Sequence, residues 1–207
     1  MIVHECQQGS EEWFGLRRGI PTGSGMNRIV TAKTLKPSAQ REKYMNELIA
    51  EWWLGETDID SLDTPFTMRG TNMEEEARRW YAFHYDAKVR QVGFISTDDG
   101  LIGASPDGLV GDHRGLEIKC PKAANHVGYI SDMSKLVSEY RLQIQTNLWI
   151  SERDHWDVVT YNPELPPQCI AVDRDEEAIK VISTEARKFV DELLERRERM
   201  AIMNEGE

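Results

Sequence analysis

Residues 100–121 read "GLIGASPDGLVGDHRGLEIKCP". Two apolar runs, 101–110 and 115–120, flank a Gly-Asp-His-Arg segment with good turn chemistry, so the stretch predicts a β-hairpin. With the turn centred on Asp112, position 110 faces 114 and 107 faces 117, because each pair sums to 224. Asp107 and Glu117 then sit opposite one another. Alternation along the strand puts Glu117 and Lys119 on one face and turns Ile118 to the other, into apolar packing. Two carboxylates about 4.5–5.5 Å apart on one face of a sheet repel, so something must compensate.

Lys119 is one compensating group. A divalent cation is another, since Mg²⁺ binds through one or two carboxylates and keeps its waters for phosphate oxygens. The plain alternative is a solvated hairpin with ordinary surface charges of little energetic weight. Two features weigh against it. Pro106 and Gly108 bracket the acid in mid-strand, where such residues occur mainly at bulges or bends that re-aim a side chain. The neighbours of all three charges are also apolar, which suits a cleft.

Outward from the hairpin, residues 38–55 predict a helix, with Ser38 as cap, Tyr44, Leu48, Ile49 and Trp52 at helical spacing, and Gly55 as stop. Residues 71–85 predict another, opened by Thr71 and Glu74 in a capping-box arrangement. Strands are expected over 89–96, 101–110 and 115–120 as a meander, then a helix over 134–150, strands over 156–162 and 168–173, and a long amphipathic helix over 176–200. The order gives an α/β protein with a mixed central sheet flanked by helices. No linker or repeat divides residues 1–207, so a single domain is expected.

Composition is that of a globular chain, 40% hydrophobic and 29% charged, which excludes global disorder. No apolar run reaches membrane-spanning length, and "MIVHECQQGSEEW" lacks the pattern of a signal peptide, so a cytoplasmic protein without a membrane partner is expected. Cys6, Cys120 and Cys169 are too few and too scattered for a disulfide framework, a four-thiolate zinc site or an iron–sulfur cluster. The net charge of −11 counts against a nucleic-acid partner taken alone. Between Trp13 and Met45, however, seven Lys/Arg stand against the single acid Glu42. That allows either a local anion site or a solvated basic face.

At Pro106-Asp107 and Glu117-Ile118-Lys119 the sequence resembles the PD-(D/E)xK nucleases, whose core is restriction-endonuclease-like. More closely it resembles the lambda exonuclease and YqaJ-like alkaline exonucleases. "WFGLRRGIPTGS", "RGTNMEEEARRWY", "SPDGL…GLEIKCP" and "LQIQTNLWI" follow that family's blocks in order over residues 13–161. The resemblance implies Asp107, Glu117 and the Ile118 carbonyl as ligands of Mg²⁺ (Mn²⁺ is possible), with Lys119 orienting or activating the attacking water. It implies Glu74 as a further carboxylate reaching the metal or its water, although the capping box explains Glu74 on its own. Gln143 would support the site, with Gln145 equally placed in the pattern. Arg17, Thr22 and Ser24 would bind a terminal 5′ phosphate, with Arg18 the neighbouring candidate for the clamp. Phe66 and Met68 lie where the family carries a wedge that parts the duplex, or pack as core.

The implied activity is 5′→3′ digestion of one strand of linear double-stranded DNA from a 5′-phosphorylated end. It leaves 3′ overhangs for phage-type recombination in the host cytoplasm, from a phage or prophage gene. The implied assembly is a homotrimeric ring around DNA, with a single-strand annealing protein as partner. Alternatives are a structure- or site-directed endonuclease of the same superfamily, or an inactive DNA-end-binding module. A serine hydrolase is excluded at Ser105, because the glycine spacing is one residue too long and Pro106 lacks the N–H an oxyanion hole needs.

Overall fold

The computed structural model describes residues 1–56 and 65–205, with side chains at 1–56 and 73–204. Among the described residues eight strands form two sheets. The larger has the order β2 (Val89–Arg90), β5 (Gly108–Val110), β6 (Arg114–Lys119), β7 (His155–Asn162), β8 (Leu165–Asp173). The smaller has the order β1 (Ile2–His4), β3 (Phe94–Ser96), β4 (Gly103–Ala104). β6 and β7 pair in parallel. The chain between them crosses over through α4 (Ala123–Ser131) and α5 (Met133–Ser151), since parallel neighbours need a helical connection.

The hairpin register is as expected: Val110 faces Arg114 and Gly108 faces Leu116. The two preceding strands differ from expectation, because each is broken into two pieces that belong to different sheets. Val89 pairs with Val110 and Ser96 with Gly103, each pair summing to 199, so one register runs through both halves. What interrupts it is Gln91–Gly93 on one strand and Ser105–Asp107 on the other. Pro106, which cannot donate to a ladder, lies in the gap.

One face of the larger sheet carries the main core, where Trp156 and Val158 meet Ile144 and Leu148 of α5 and Ile182 and Phe189 of α6 (Glu176–Glu205). Gly115 is required there, because a Cβ on it would lie 2.1 Å from the Trp156 ring. Met26 of a short 3-10 helix (Gly23–Arg28) and Leu48 of α2 (Arg41–Leu54) complete this core. On the other face Leu116, Ile118 and Val159 pack on Ala77 and Tyr81 of α3 (Pro65–His84).

Two expected helix starts move. α2 is capped at Gln40 rather than Ser38, and ends at Gly55 in the left-handed conformation (φ 68°) as expected. α3 begins at Pro65, six residues before Thr71. Thr71 is therefore inside the helix and the expected capping box does not exist.

Candidate active site

β5 and β6 bring Asp107 and Glu117 together at the end of the hairpin. The Asp107 N–H donates to the Leu116 carbonyl (3.1 Å), and its Oδ2 accepts from the Ile118 N–H (2.6 Å). Within a strand the N–H and C=O of one residue point to the same side, so the Ile118 carbonyl is also directed toward Asp107. Glu117 is 3% exposed, and both of its oxygens have partners. Its Oε1 lies 2.7 Å from Lys119 Nζ and accepts from Gln143 Nε2 (2.6 Å), while Oε2 accepts from Asn147 Nδ2 (3.2 Å). Lys119 Nζ also donates to Gln143 Oε1 (3.2 Å) and lies 4.2 Å from the centre of the Tyr140 ring.

Gln143 thus joins the cluster. Gln145 does not: it turns to the β8–α6 connection, donating to Asp173 O and accepting from the Asp175 N–H. Freed from any capping role, Glu74 is half-buried and shares the electrostatics of the site. Burial raises its pKa, Arg78 and Lys119 pull it down, and Glu117 pushes it up. Asp107 is held well above the usual carboxylate range by burial, then by Glu117 and Glu74. Burial works against the Lys119 ammonium, yet Glu117 and Asp107 outweigh it and its pKa is raised. Three acids therefore face Lys119 and, beside Glu74, Arg78 in a desolvated cleft.

That excess of negative charge suits a hard cation, for which carboxylate and carbonyl oxygens are the proper donors. Among the described residues no three of His, Cys, Asp and Glu converge into a chelating group. The available donors are Asp107, Glu117 and the Ile118 main chain, which fits an ion that retains several waters.

The gap in the hairpin beside Asp107 is closed by side chains. Gln8 Nε2 donates to Val92 O (3.2 Å) and Pro106 O (2.9 Å), Trp13 Nε1 to Gly93 O (3.0 Å), and Arg78 Nε to Asp107 O (3.0 Å). These carbonyls would otherwise lack partners, at a cost of about 1–3 kcal/mol for each one buried. Gln8 carries no sequence signal at all, and Arg78 carries only its place one turn after Glu74.

Arg17, in α1 (Glu11–Arg17), stacks on the Trp13 ring at 4.2 Å. Its Nη1 donates to Ser105 Oγ (2.8 Å), which also accepts from Trp13 Nε1 (2.9 Å). A hydroxyl has two lone pairs, so both are used and its own hydrogen remains to donate. Burial pulls the Arg17 guanidinium down, and among the described residues it forms no ion pair. Thr22 and Ser24 are mutually hydrogen-bonded (3.2 Å). Their segment is tied to β4, because Thr22 bridges Gly103 and the Gly103 N–H donates to Pro21 O (3.1 Å). The expected phosphate-binding residues and Asp107 are thereby gathered at the end of one strand. Arg17 rather than Arg18 reaches it. Ser105, which the sequence offers only as a nucleophile to be excluded, is the residue on which Arg17 and Trp13 converge. Phe66 and Met68 fall in the opening of α3, where their side chains lie outside the described residues.

No curated protein matches this sequence. Among solved structures, the alkaline exonuclease LHK-Exo from Laribacter hongkongensis is 35% identical, with 95% of this chain and 99% of that one covered at a TM-score of 0.84. The same enzyme in complex with dAMP gives 0.85 at the same identity and coverage. A phage-related exonuclease from Haemophilus somnus 129PT is similar in fold at 15% identity, covering 86% of this chain and 96% of that one (TM-score 0.65). The family model for the YqaJ-like viral recombinase domain matches residues 12–154. That span holds Arg17, Glu74, the Asp107–Glu117–Lys119 cluster and Gln143, and the chain belongs to the YqaJ-like viral recombinase family.

Proposed function

We propose that this protein is a Mg²⁺-dependent exonuclease that degrades one strand of linear double-stranded DNA 5′→3′ from a phosphorylated end, leaving 3′ overhangs for single-strand annealing. Family membership and the likeness to an alkaline exonuclease support a nuclease. The observation that carries the end-directed reading is the desolvated Arg17 guanidinium, which has no ion pair among the described residues and donates to Ser105, two residues before Asp107. Internal cleavage does not need such an anion pocket; recognition of a terminal phosphate does.

Asp107, Glu117 and the Ile118 carbonyl would hold Mg²⁺ or Mn²⁺. A bound ion supplies Lewis-acid stabilisation of the charge that builds on the scissile phosphodiester. Lys119, kept protonated by Glu117 and Asp107, acts as a fixed cation that orients the attacking water and the phosphoryl oxygens rather than as a base. Glu74, a half-buried carboxylate made more basic by its burial, is the group suited to accept the proton of that water. Gln143 fixes Lys119 and Glu117 at once through its two amide ends. Arg17, Ser105, Thr22 and Ser24 bind the terminal phosphate, which positions the adjacent linkage over the carboxylates.

In the same reading the protein works in the host cytoplasm as a homotrimeric ring around DNA and delivers the 3′ strand to an annealing protein. Among the described residues no helix is long and apolar enough to cross a membrane. The test is digestion with Mg²⁺ of three DNAs: linear duplex with 5′ phosphate, the same duplex with 5′ hydroxyl, and a closed circle. Rates should fall in that order, with the circle intact. A circle cut as fast as the ends makes the protein an endonuclease, and binding of ends without any cleavage makes it an end-binding module.

A further inference from the structure

Asn147 has no role in the reading above, yet it occupies the space between the two halves of the site. It lies on α5, one turn after Gln143, and is 1% exposed. Its Nδ2 donates to Glu117 Oε2 (3.2 Å). Its Oδ1 is buried and has no donor among the described residues. That oxygen fills the volume a side chain at Gly23 would need: a Cβ there would lie 2.7 Å from it, with Ala104 Cβ at 3.6 Å and Gln143 O at 3.7 Å. Gly23 stands between Thr22 and Ser24. One side chain therefore abuts a carboxylate of the cleavage centre at one end and the wall of the anion pocket at the other.

A buried amide with an unsatisfied oxygen is costly, so its retention against a glycine needs a reason. Asn147 has the length to span Glu117 and Gly23, and its amide supplies the one donor that Glu117 Oε2 receives. The other contacts of Glu117, Lys119 and Gln143, both reach Oε1. Glu117 is thus fixed from the pocket side by Asn147 alone among the described residues.

We propose that Asn147 is a positioning residue that sets the separation between the terminal-phosphate pocket and the cleavage centre, with Gly23 as the matching recess. The inference rests on the end-directed reading of the site. Its consequence is specific. A substrate held by its terminal phosphate depends on that separation, because a displacement of about 1 Å in a reacting centre costs on the order of a hundredfold in rate. A substrate with a 5′ hydroxyl is not clamped and settles wherever the cleavage centre holds it.

The experiment measures kcat and KM with Mg²⁺ for 5′-phosphorylated and 5′-hydroxyl duplex in wild type, Gly23→Ala and Asn147→Ala. Thermal unfolding identifies variants that fold, and Mn²⁺ affinity is measured separately by electron paramagnetic resonance. In both variants kcat on the phosphorylated end should fall about tenfold to a hundredfold, with KM little changed. On the hydroxyl end it should fall several-fold at most, so that the advantage of the phosphate shrinks. Gly23→Ala should keep wild-type Mn²⁺ affinity. Asn147→Ala should weaken it about tenfold or more, as loss of a partner that orients a metal ligand does. Should Gly23→Ala not fold, the Asn147→Ala comparison decides the matter. Equal slowing on both ends, or Mn²⁺ binding unaltered in Asn147→Ala, overturns the spacer while leaving the end-directed reading in place. A wild type indifferent to the terminal phosphate overturns that reading, and the spacer with it.

Discussion

At the scale of residues, the site is an acid cluster whose charge is under-compensated. Asp107 has a folded-state pKa raised above its unfolded value, so the native state binds that proton more tightly than the unfolded chain. The cost of ionising it is absent in acid and grows as pH rises from the unfolded value toward the folded one. Metal-free protein should therefore lose stability over that window. Asp107→Asn should remove the loss, raising the melting temperature in chelator at neutral pH by about 2–4 °C per kcal/mol of relieved repulsion. It should also abolish cleavage and the stabilisation that Mg²⁺ gives wild type, which calorimetry with and without the ion measures. Lys119→Ala should lower kcat by about 10²–10⁴-fold while Mn²⁺ still binds; loss of binding would make Lys119 a support for the ligands instead. Arg17→Ala should reduce the preference for a 5′ phosphate about tenfold to a hundredfold, the equivalent of a charge-assisted contact of about 1.5–3 kcal/mol. A preference that survives in that variant moves the clamp to Arg18.

At the scale of elements, the site depends on how α3 and the broken hairpin are seated. α3 carries Glu74 and Arg78, and, two turns after Glu74, Tyr81 donates to the buried Asp157 of β7 (2.5 Å), which Arg114 also holds (2.8 Å). Burial, followed by Asp157, pushes the Tyr81 phenol up, so it stays a donor at any working pH. Tyr81→Phe should cost about 1–3 kcal/mol in chemical denaturation, and should lower activity through Glu74 more than Mn²⁺ affinity. The gap in the hairpin is legible at Pro106. Its other half, Gln91–Gly93, is not, because no residue there forbids pairing; the break is imposed by what faces it. Gln8 makes two of the bonds that hold the gap. Gln8→Leu should therefore destabilise the fold by about 1–3 kcal/mol and lower cleavage by displacing Asp107, with no change in phosphate preference.

At the scale of the whole molecule, the local positive excess is matched only in part, at three of its seven cations. Arg28 pairs with Glu47 (2.6 Å), Arg41 lies 3.8 Å from Glu192 of α6, and Lys43 lies 4.0 Å from Glu47. The proposed ring makes a mass of three chains the expected result of light scattering, and a monomer at working concentration would remove it. The sequence by itself determined the hairpin register from Val110–Arg114 to Gly108–Leu116 and the opposed facing of Glu117 and Ile118, because a tight turn fixes register and a strand alternates its faces whatever surrounds it; beyond that ladder Asp107 is held by the Leu116 carbonyl and the Ile118 N–H. It also determined the succession of α2, α3, the strands up to β6, α5, β7, β8 and α6, but not β1, α1, α4 or the break of two strands across two sheets. Only the tertiary structure decided that Glu74 is free of a cap, since the start of α3 lies in a stretch without a helix signal. It alone decided between Gln143 and Gln145, and placed Arg17 on Ser105. These depend on how elements far apart in the chain pack, as in the contact of Arg17 with a residue 88 positions away. Local propensity and spacing carry no information about contacts of that range, which are set when helices and sheet bury their apolar faces together.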